Sequence, residues 1–505
     1  MGGVWAMVNS LLNTLKVLVG AINGLLWGDL IILNIGEVQI GLSILVVLLI
    51  PAGLYFTIRT RFMPFRLFPE MIRIALEPKK SEDRDSISGL QALLIATASR
   101  VGMGNLAGVV AAISFGGAGA IFWMWIVALV GSASAFIEAT LAQLYKEHDP
   151  LYGGYRGGPA YFMERMRLIT VADDKDFYPG MYGDVKYVSV DNKKKYVRGA
   201  KFRLLGILFA LSGLLCWGGI SQVVANSVTQ SFSNAFGIPA LYTTVALVIL
   251  SAVILFKKGG TVKALDKIVP VMGILYIGIT LFILVKNIGY IPEMFAEIFG
   301  QALGFRQAVA GGFGAVLMNG VKRGLFSNEA GSGSAPCAAA AADVDHPAKQ
   351  GLIQALGVFI DTLVICSCSA FIMLLAPKDV ISGLQGMDLL QAAMNYHIGS
   401  AGVIFIAVIL FLFSFSTFLG IMFYARSNVS YVFGDTMKAQ KIYQIFALCM
   451  LFAGGLAQYT FVWELGDLGV GLMTVFNMMA IIPLSSQAVY ALKDYELNWM
   501  NKERK

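Results

Sequence analysis

The chain has 505 residues, of which 57% are apolar and only 14% charged, with a mean hydropathy of +0.71; a water-soluble domain is nearer 45–50% apolar and about 25% charged. That balance excludes a soluble enzyme and makes lipid the solvent. The net charge of +7 is gathered into a few loops, the five cysteines lack CxxC spacing and the three histidines share no ligand spacing, which argues against nucleic-acid binding, a disulfide framework and a transition-metal centre.

Residues 1–35 mix Leu, Val, Trp5 and Trp27 with Asn, Gly and one Lys, and read as an amphipathic segment lying on the membrane surface. Val38 to Ile58 is the first run long enough to span, 21 residues without a charge. It is predicted helix 1, within an extra amino-terminal element at 36–58. Helices 2 to 6 are predicted at 86–114, 118–146, 203–226, 240–257 and 264–287, and helices 7 to 11 at 307–342, 350–376, 400–425, 440–463 and 466–492. The expectation is an all-α membrane protein of eleven spans with a tail at 493–505.

Counting Lys and Arg by loop places 31 on one side and 4 on the other, with Arg100, Lys322 and Arg323 inside spans. By the positive-inside rule the carboxyl terminus is cytoplasmic and the amino terminus outside. The basic excess is therefore a topology signal. Residues 165–203 form the one long polar insert, in which KYVSV, DNKK and KYV read as a short hairpin; it is either a tolerated loop expansion or a docking element.

Two spans are interrupted by polar, Gly-rich sequence: TASRVGMGNLAG (97–108) and LFSNEAGSGSAP (325–336). Backbone groups freed by unwinding persist in hydrocarbon only where a cavity, protein, ions or substrate meet them, so each break predicts an ion or ligand site. Each break falls in the first helix of a five-helix block, 2–6 or 7–11. An odd number of spans inverts the second copy, which suits an inverted-repeat transporter. Gly108 reads as packing alone; beside the central glycines stand Asn105, Ser327, Asn328 and Glu329.

Charged residues within spans are costly and point to function. Arg100 lies beside the first break, and Glu138 is the nearest acid in sequence that could pair with it. Lys322 and Arg323 are candidates for snorkelling to an interface. Helix 9 carries FLFSFSTFLG (411–420), whose Ser414, Ser416 and Thr417 could bond back to the preceding turn or supply hard oxygen ligands to a small cation.

GGAGAIFWMWIVALVG (116–131), VGMGN (101–105), YRGGPAYF (155–162), GVKRGLFSNEAG (320–331) and FSFSTFLG (413–420) resemble the sodium:alanine (alanine or glycine:cation) symporter family of the amino acid/polyamine/cation superfamily, over nearly the whole chain. The resemblance implies a LeuT-type core in helices 2–11 and sodium as coupling ion, with no other cofactor. It implies that Gly102, Met103, Gly104 and Asn105 hold an amino-acid carboxylate, that Phe326, Ser327 and Asn328 hold the ammonium, and that Ile421 lines the pocket. Sodium would sit among Ala98, Val101, Phe413, Ser416 and Thr417. Met103, Ser332 and Ile421 depart from the family pattern, in which Thr, Met and Trp are common there, so a small neutral amino acid is implied without its identity. A guanidinium at Arg100, where related proteins line a first sodium site, implies one sodium per substrate. Proton coupling through Glu138, Glu329 or Asp361 is the alternative. A channel would need rings of subunits or a filter, which paired internal breaks do not ask for, and no paired catalytic carboxylates, nucleophile motif or phosphate loop suggests an enzyme.

Overall fold

A computed structural model describes residues 2–35, 38–77, 87–164, 203–257, 260–304, 312–457 and 459–500. Among these, six helices are long and apolar enough to cross a membrane: Gly119–Leu144, Arg203–Phe236, Thr261–Lys286, Pro347–Leu374, Ser400–Phe433 and Val462–Trp499. A seventh candidate is the pair Gly89–Arg100 and Gly104–Gly116, bent by 46°. Lys16–Trp27, Ile44–Arg59 and Ala240–Leu255 are shorter apolar helices. The described residues are mainly helical, with two small antiparallel hairpins among them, Ile31–Ile35 with Val38–Leu42 and Glu147–His148 with Tyr155–Arg156.

The first hairpin corrects the predicted span at 38–58. Val38–Leu42 is strand, and the helix starts only at Ile44, where the Ser43 hydroxyl accepts from the Val46 amide at 3.2 Å. An N-capping serine satisfies amides that a helix start leaves unpaired, so the helix begins where the cap is. The boundary between the predicted spans 440–463 and 466–492 also moves. The first of them ends at Gly455, and the last helix begins at Tyr459. Predicted helix 7, 307–342, is two pieces, Gly312–Asn328 and Pro336–Ala341. The hairpin expected in 165–203 lies outside the described residues.

Lipid gives helices no hydrophobic reason to associate, so close packing must supply it, and small residues allow that. A Cβ at Gly454 would come 2.2 Å from the Gln222 Cα, one at Gly469 2.3 Å from the Cys216 Cα, and one at Gly219 2.9 Å from the Gly466 nitrogen. These glycines let Arg203–Phe236 lie against both Met437–Gly455 and Tyr459–Asp494. The long helix thereby becomes a post on which the last two helices pack.

One face is tied by charges. Arg73 pairs with Glu70 (2.7 Å) and Glu77 (2.8 Å), and Lys349 with Glu77 (3.0 Å) and Asp345 (2.9 Å). The Tyr495 hydroxyl donates to Glu70 at 2.7 Å. His346 caps the helix Pro347–Val358 by accepting the Ala348 amide on Nδ1 (3.1 Å), and its Nε2 meets Asp494 at 3.1 Å. Burial pulls His346 below the usual histidine value, against the opposing pull of Asp494. A base whose folded value is lowered costs stability once the unfolded chain takes up the proton, so stability falls as the pH drops below about 6.5 and levels off below the folded value. The melting temperature in detergent should therefore decline from pH 7 towards pH 5, and His346→Asn, which keeps a cap, should flatten that decline.

Candidate functional site

The first helix runs Gly89–Arg100 and then opens. Val101 leaves helical geometry (φ −74°, ψ 71°), Gly102 donates its amide to Asn105 Oδ1 at 2.9 Å, and the chain resumes in a π-helical turn over Gly104–Gly108. The second helix ends at Asn328. Glu329, Gly331 and Gly333 all take positive φ (57°, 88° and 83°) before the chain turns helical again at Pro336. Glycine adopts that region freely, whereas a glutamate there is uncommon and held by its contacts.

The two breaks meet. A Cβ at Gly104 would lie 3.3 Å from the Ser327 Cα, so the main chains pass at glycine distance. Asn105 Nδ2 donates to the Asp361 carboxylate (2.7 Å), to the Asp361 carbonyl (3.1 Å) and to Ser327 Oγ (3.3 Å); the Ser327 and Thr362 hydroxyls donate to Asp361 Oδ2 at 2.7 and 2.8 Å. Cys366 Sγ sits 3.0 Å from Ser327 Oγ. On the other flank Glu329 accepts from Ser99 (2.7 Å) and from Tyr424 (3.3 Å). Thus Asn105 and Ser327 are brought together, with Asp361 between them and Ser99 and Glu329 closing the far side. Asn328 is also fully buried; its Oδ1 accepts the Ala330 amide at 3.0 Å, and its Nδ2 has no protein partner. Met103 is buried, its amide donating to Thr417 Oγ1 at 3.2 Å.

The oxygens of helix Ser400–Phe433 lie over the open end of Gly89–Arg100. Ser416 and Thr417 each donate towards the Ala98 carbonyl at 3.4 Å, and Ser416 reaches the Phe413 carbonyl at 2.8 Å. A separation of about 3.4 Å is what two oxygens show when each stands about 2.4 Å from one cation at right angles. Ala98, Phe413, Ser416 and Thr417 therefore form a compact oxygen cluster beside Val101, while Ser414, with no protein partner for its hydroxyl, takes no part in it. Ile421 is buried on the same helix, one residue beyond Gly420, which packs on Ser99.

Arg100 and Glu138 are not in contact, contrary to the expectation from their order in the chain. Arg100 Nη1 donates to the Gln354 carbonyl at 3.2 Å. Glu138 instead accepts from the Gly331 amide (3.3 Å) and from Asn477 Nδ2 (2.8 Å), and Asn477 also donates to the Gly331 carbonyl at 3.0 Å. The acid thus braces the second break, whose freed amide is a nearer donor than the guanidinium. Lys322 and Arg323 do not snorkel separately; both pair with Asp467, at 2.6 and 3.1 Å, and Arg323 lies 4.4 Å from the Trp463 ring, which packs on Phe326 with centroids 4.9 Å apart. Sequence reasoning missed Asp467, Tyr424 and Asn477. An acid at the second position of the predicted 466–492 span was a usable signal; a tyrosine and an asparagine in long apolar helices carry none until the fold supplies their partners.

Gly102 gives the sharpest test of this geometry. A Cβ there would fall 1.6 Å from Thr417 Oγ1 and 3.1 Å from the Phe413 carbonyl, so Gly102→Ala must push the oxygen cluster apart. Substrate uptake should be lost while the variant still reaches the membrane, whereas Gly108→Ala, at a position with nothing within 4 Å, should keep near wild-type uptake in the same assay.

The family model described as "Sodium:alanine symporter family" matches residues 25–171 and 192–505. The probable sodium/glutamine symporter GlnT of Bacillus subtilis is 41% identical over 485 residues, 95% of this chain and 91% of that protein. The putative sodium/proton-dependent alanine carrier protein YrbD of the same organism is 37% identical over 468 residues, 89% of each. Among solved structures, MhsT in complex with L-phenylalanine superposes with a TM-score of 0.54 at 12% identity, covering 83% of this chain and 97% of that one. At that identity the likeness shows the fold alone, a LeuT-type transporter fold. A helical membrane chain whose two helix breaks meet, matched over nearly its whole length, is a transporter and not an enzyme, and it belongs to the sodium:alanine symporter family.

Proposed function

We propose that the protein imports a small neutral amino acid, alanine or glycine first and serine next, coupled to sodium across the cytoplasmic membrane. The observation that carries this reading is the placement of Ser416 and Thr417 over the Ala98 carbonyl, directly beside the amides of the first break. Sodium at Ala98, Val101, Phe413, Ser416 and Thr417 would fix the open end of Gly89–Arg100. The amides at Gly102, Met103, Gly104 and Asn105 would then receive a carboxylate. Phe326, Ser327 and Asn328 would hold the ammonium, and Ile421 would bound the side chain.

Coupling follows from shared structure. Thr417 accepts from Met103 and reaches Ala98, so the ion and the substrate amides would be ordered by one residue. Arg100, with its charge near Asp361 and Glu329, would occupy the place of a second cation, which gives one sodium per substrate. Transport by alternating access is supported by the arrangement of the chain. The break at 101–103 is followed by Gly119–Leu144, Arg203–Phe236, Ala240–Leu255 and Gly260–Lys286, and the break at 329–335 by Pro347–Leu374, Ser400–Phe433, Met437–Gly455 and Tyr459–Asp494. Two five-helix blocks, each opening on a broken helix, suit an inverted 5+5 repeat plus one extra amino-terminal span, eleven in all, with the amino terminus outside.

Proton coupling is the second reading, favoured by three buried carboxylates, Glu138, Glu329 and Asp361, next to the breaks and by the name of the sodium/proton-dependent relative. Proteoliposomes separate the two. Labelled alanine should accumulate under an inward sodium gradient and not under an equal potassium gradient, and glycine and serine should compete better than larger amino acids. Uptake driven only by an imposed pH gradient would move the coupling to the carboxylates, and stronger competition by glutamine than by glycine would move the substrate to that of the 41%-identical relative.

A further inference from the structure

A row of buried polar side chains lies where the helix Pro347–Val358 faces Gly89–Arg100 and Gly119–Leu144, and the transport reading leaves it unused except for the charge of Arg100. Gln350 and Gln354 are both fully buried, and none of the four amide atoms they carry meets a protein partner. The same holds for Thr140 Oγ1 and for Arg100 Nε and Nη2. Seven such atoms lie on three adjoining helices. Leaving each unpaired in a dry interior would cost roughly 1–3 kcal/mol, and nearly all buried polar atoms in native proteins find a partner.

Their order in space is readable from the glycines between them. Gln350 Oε1 lies 3.4 Å from where a Gly89 Cβ would stand, at the partly exposed start of the first broken helix. Thr140 Oγ1 stands 2.1 Å from the Cβ position of Gly351, in space that residue leaves open. Gln354 follows Gln350 by one helical turn, about 6 Å along the axis. Its carbonyl takes Arg100 Nη1, which also fills the space left by Gly357, 2.7 Å from that Cβ position. The row thus leads from the face that carries Lys349 inward to the guanidinium.

The chemistry of the row selects its occupant. Amides and a hydroxyl both donate and accept, and the guanidinium only donates. Its fixed positive charge opposes a cation, while Glu329 and Asp361, within range of that charge, oppose an anion. A small neutral molecule that donates and accepts remains. We propose that Thr140, Gln350, Gln354 and Arg100 line a hydrated seam, a binding site for a file of ordered waters that joins the buried charge cluster to the face of the protein carrying Lys349. Buried waters typically make about three hydrogen bonds to such otherwise unpaired groups. The row draws on Pro347–Val358 and Gly119–Leu144, whereas the Met103 amide is met by Thr417 of Ser400–Phe433, so the seam gives the charged centre a connection to bulk water apart from that contact.

Hydroxyl-radical footprinting of the full-length protein in nanodiscs, read as oxidation of each side chain, tests this directly. Phe136, whose ring borders Gly351, and Leu93, which borders Gly357, are buried side chains along the seam. Relative to its intrinsic radical reactivity, each should be oxidised several-fold faster than Phe56, also buried, in another helix. The pair Gln350→Leu and Gln354→Leu should reduce labelling of Phe136 and Leu93 to the Phe56 rate, and Gln354→Asn, which keeps an amide, should retain it. Should the leucine pair fail to insert, Gln350→Leu alone gives the same comparison. Labelling of Phe136 and Leu93 no faster than Phe56 in the wild type would overturn the proposal, as would full labelling in the leucine variants.

Discussion

Backbone amides and carbonyls released by an unwound helix cannot be left unpaired in a membrane interior, and the rest of this structure is arranged around meeting that demand. At the first break the Gly102 amide is taken by Asn105 and the Met103 amide by Thr417. At the second, Glu138 and Asn477 take the Gly331 amide and carbonyl between them. Asn105 of the first broken helix and side chains from three other helices thus hold two breaks open, and the close passage of Gly104 past Ser327 brings the two together. Helix packing by glycines, the capping residues and the charged clamp at Arg73, Lys349 and Asp494 all serve to keep those partners in register.

Buried charge is distributed with the same economy. Each acid near the breaks accepts at least two hydrogen bonds, and Asp467 holds Lys322 and Arg323 together, Lys322 against the Trp27 ring and Arg323 against the Trp463 ring. Removing one member of such a pair leaves the other uncompensated at a cost of several kcal/mol. Arg100 is the exception, a guanidinium with one carbonyl partner, within electrostatic range of Glu138, Glu329 and Asp361. Its charge balances the centre as a whole and is not spent on one ion pair.

Much of this was legible in the sequence because lipid imposes a strong rule: apolar runs of about 20 residues reveal spans, and polar Gly-rich interruptions reveal breaks. Asn105 and Ser327 stand out on that ground, whereas Ser416 and Thr417 lie in an unbroken apolar helix where back-bonding and cation ligation read alike and only the family resemblance pointed to sodium. The start of the helix at Ile44 did not, because Val38–Leu42 carries no charge and runs straight into the apolar helix that follows, with the Ser43 cap marking the boundary. Nor did the partner of Glu138. Proximity in sequence suggested Arg100, whereas the amide that meets it comes from a residue 193 positions away. Hydrophobic pattern reports which residues face lipid; it does not report which buried polar groups face each other.

The account stands or falls on the proposed sodium site at the first break, where Ser416 and Thr417 meet the Ala98 carbonyl. Equilibrium binding of ²²Na⁺ to the purified protein should be saturable, should tighten when alanine is added, and should weaken about tenfold or more in Thr417→Val, a loss of about 1.4 kcal/mol for one oxygen ligand. Sodium binding of wild-type strength in Thr417→Val, or binding indifferent to alanine, would contradict it.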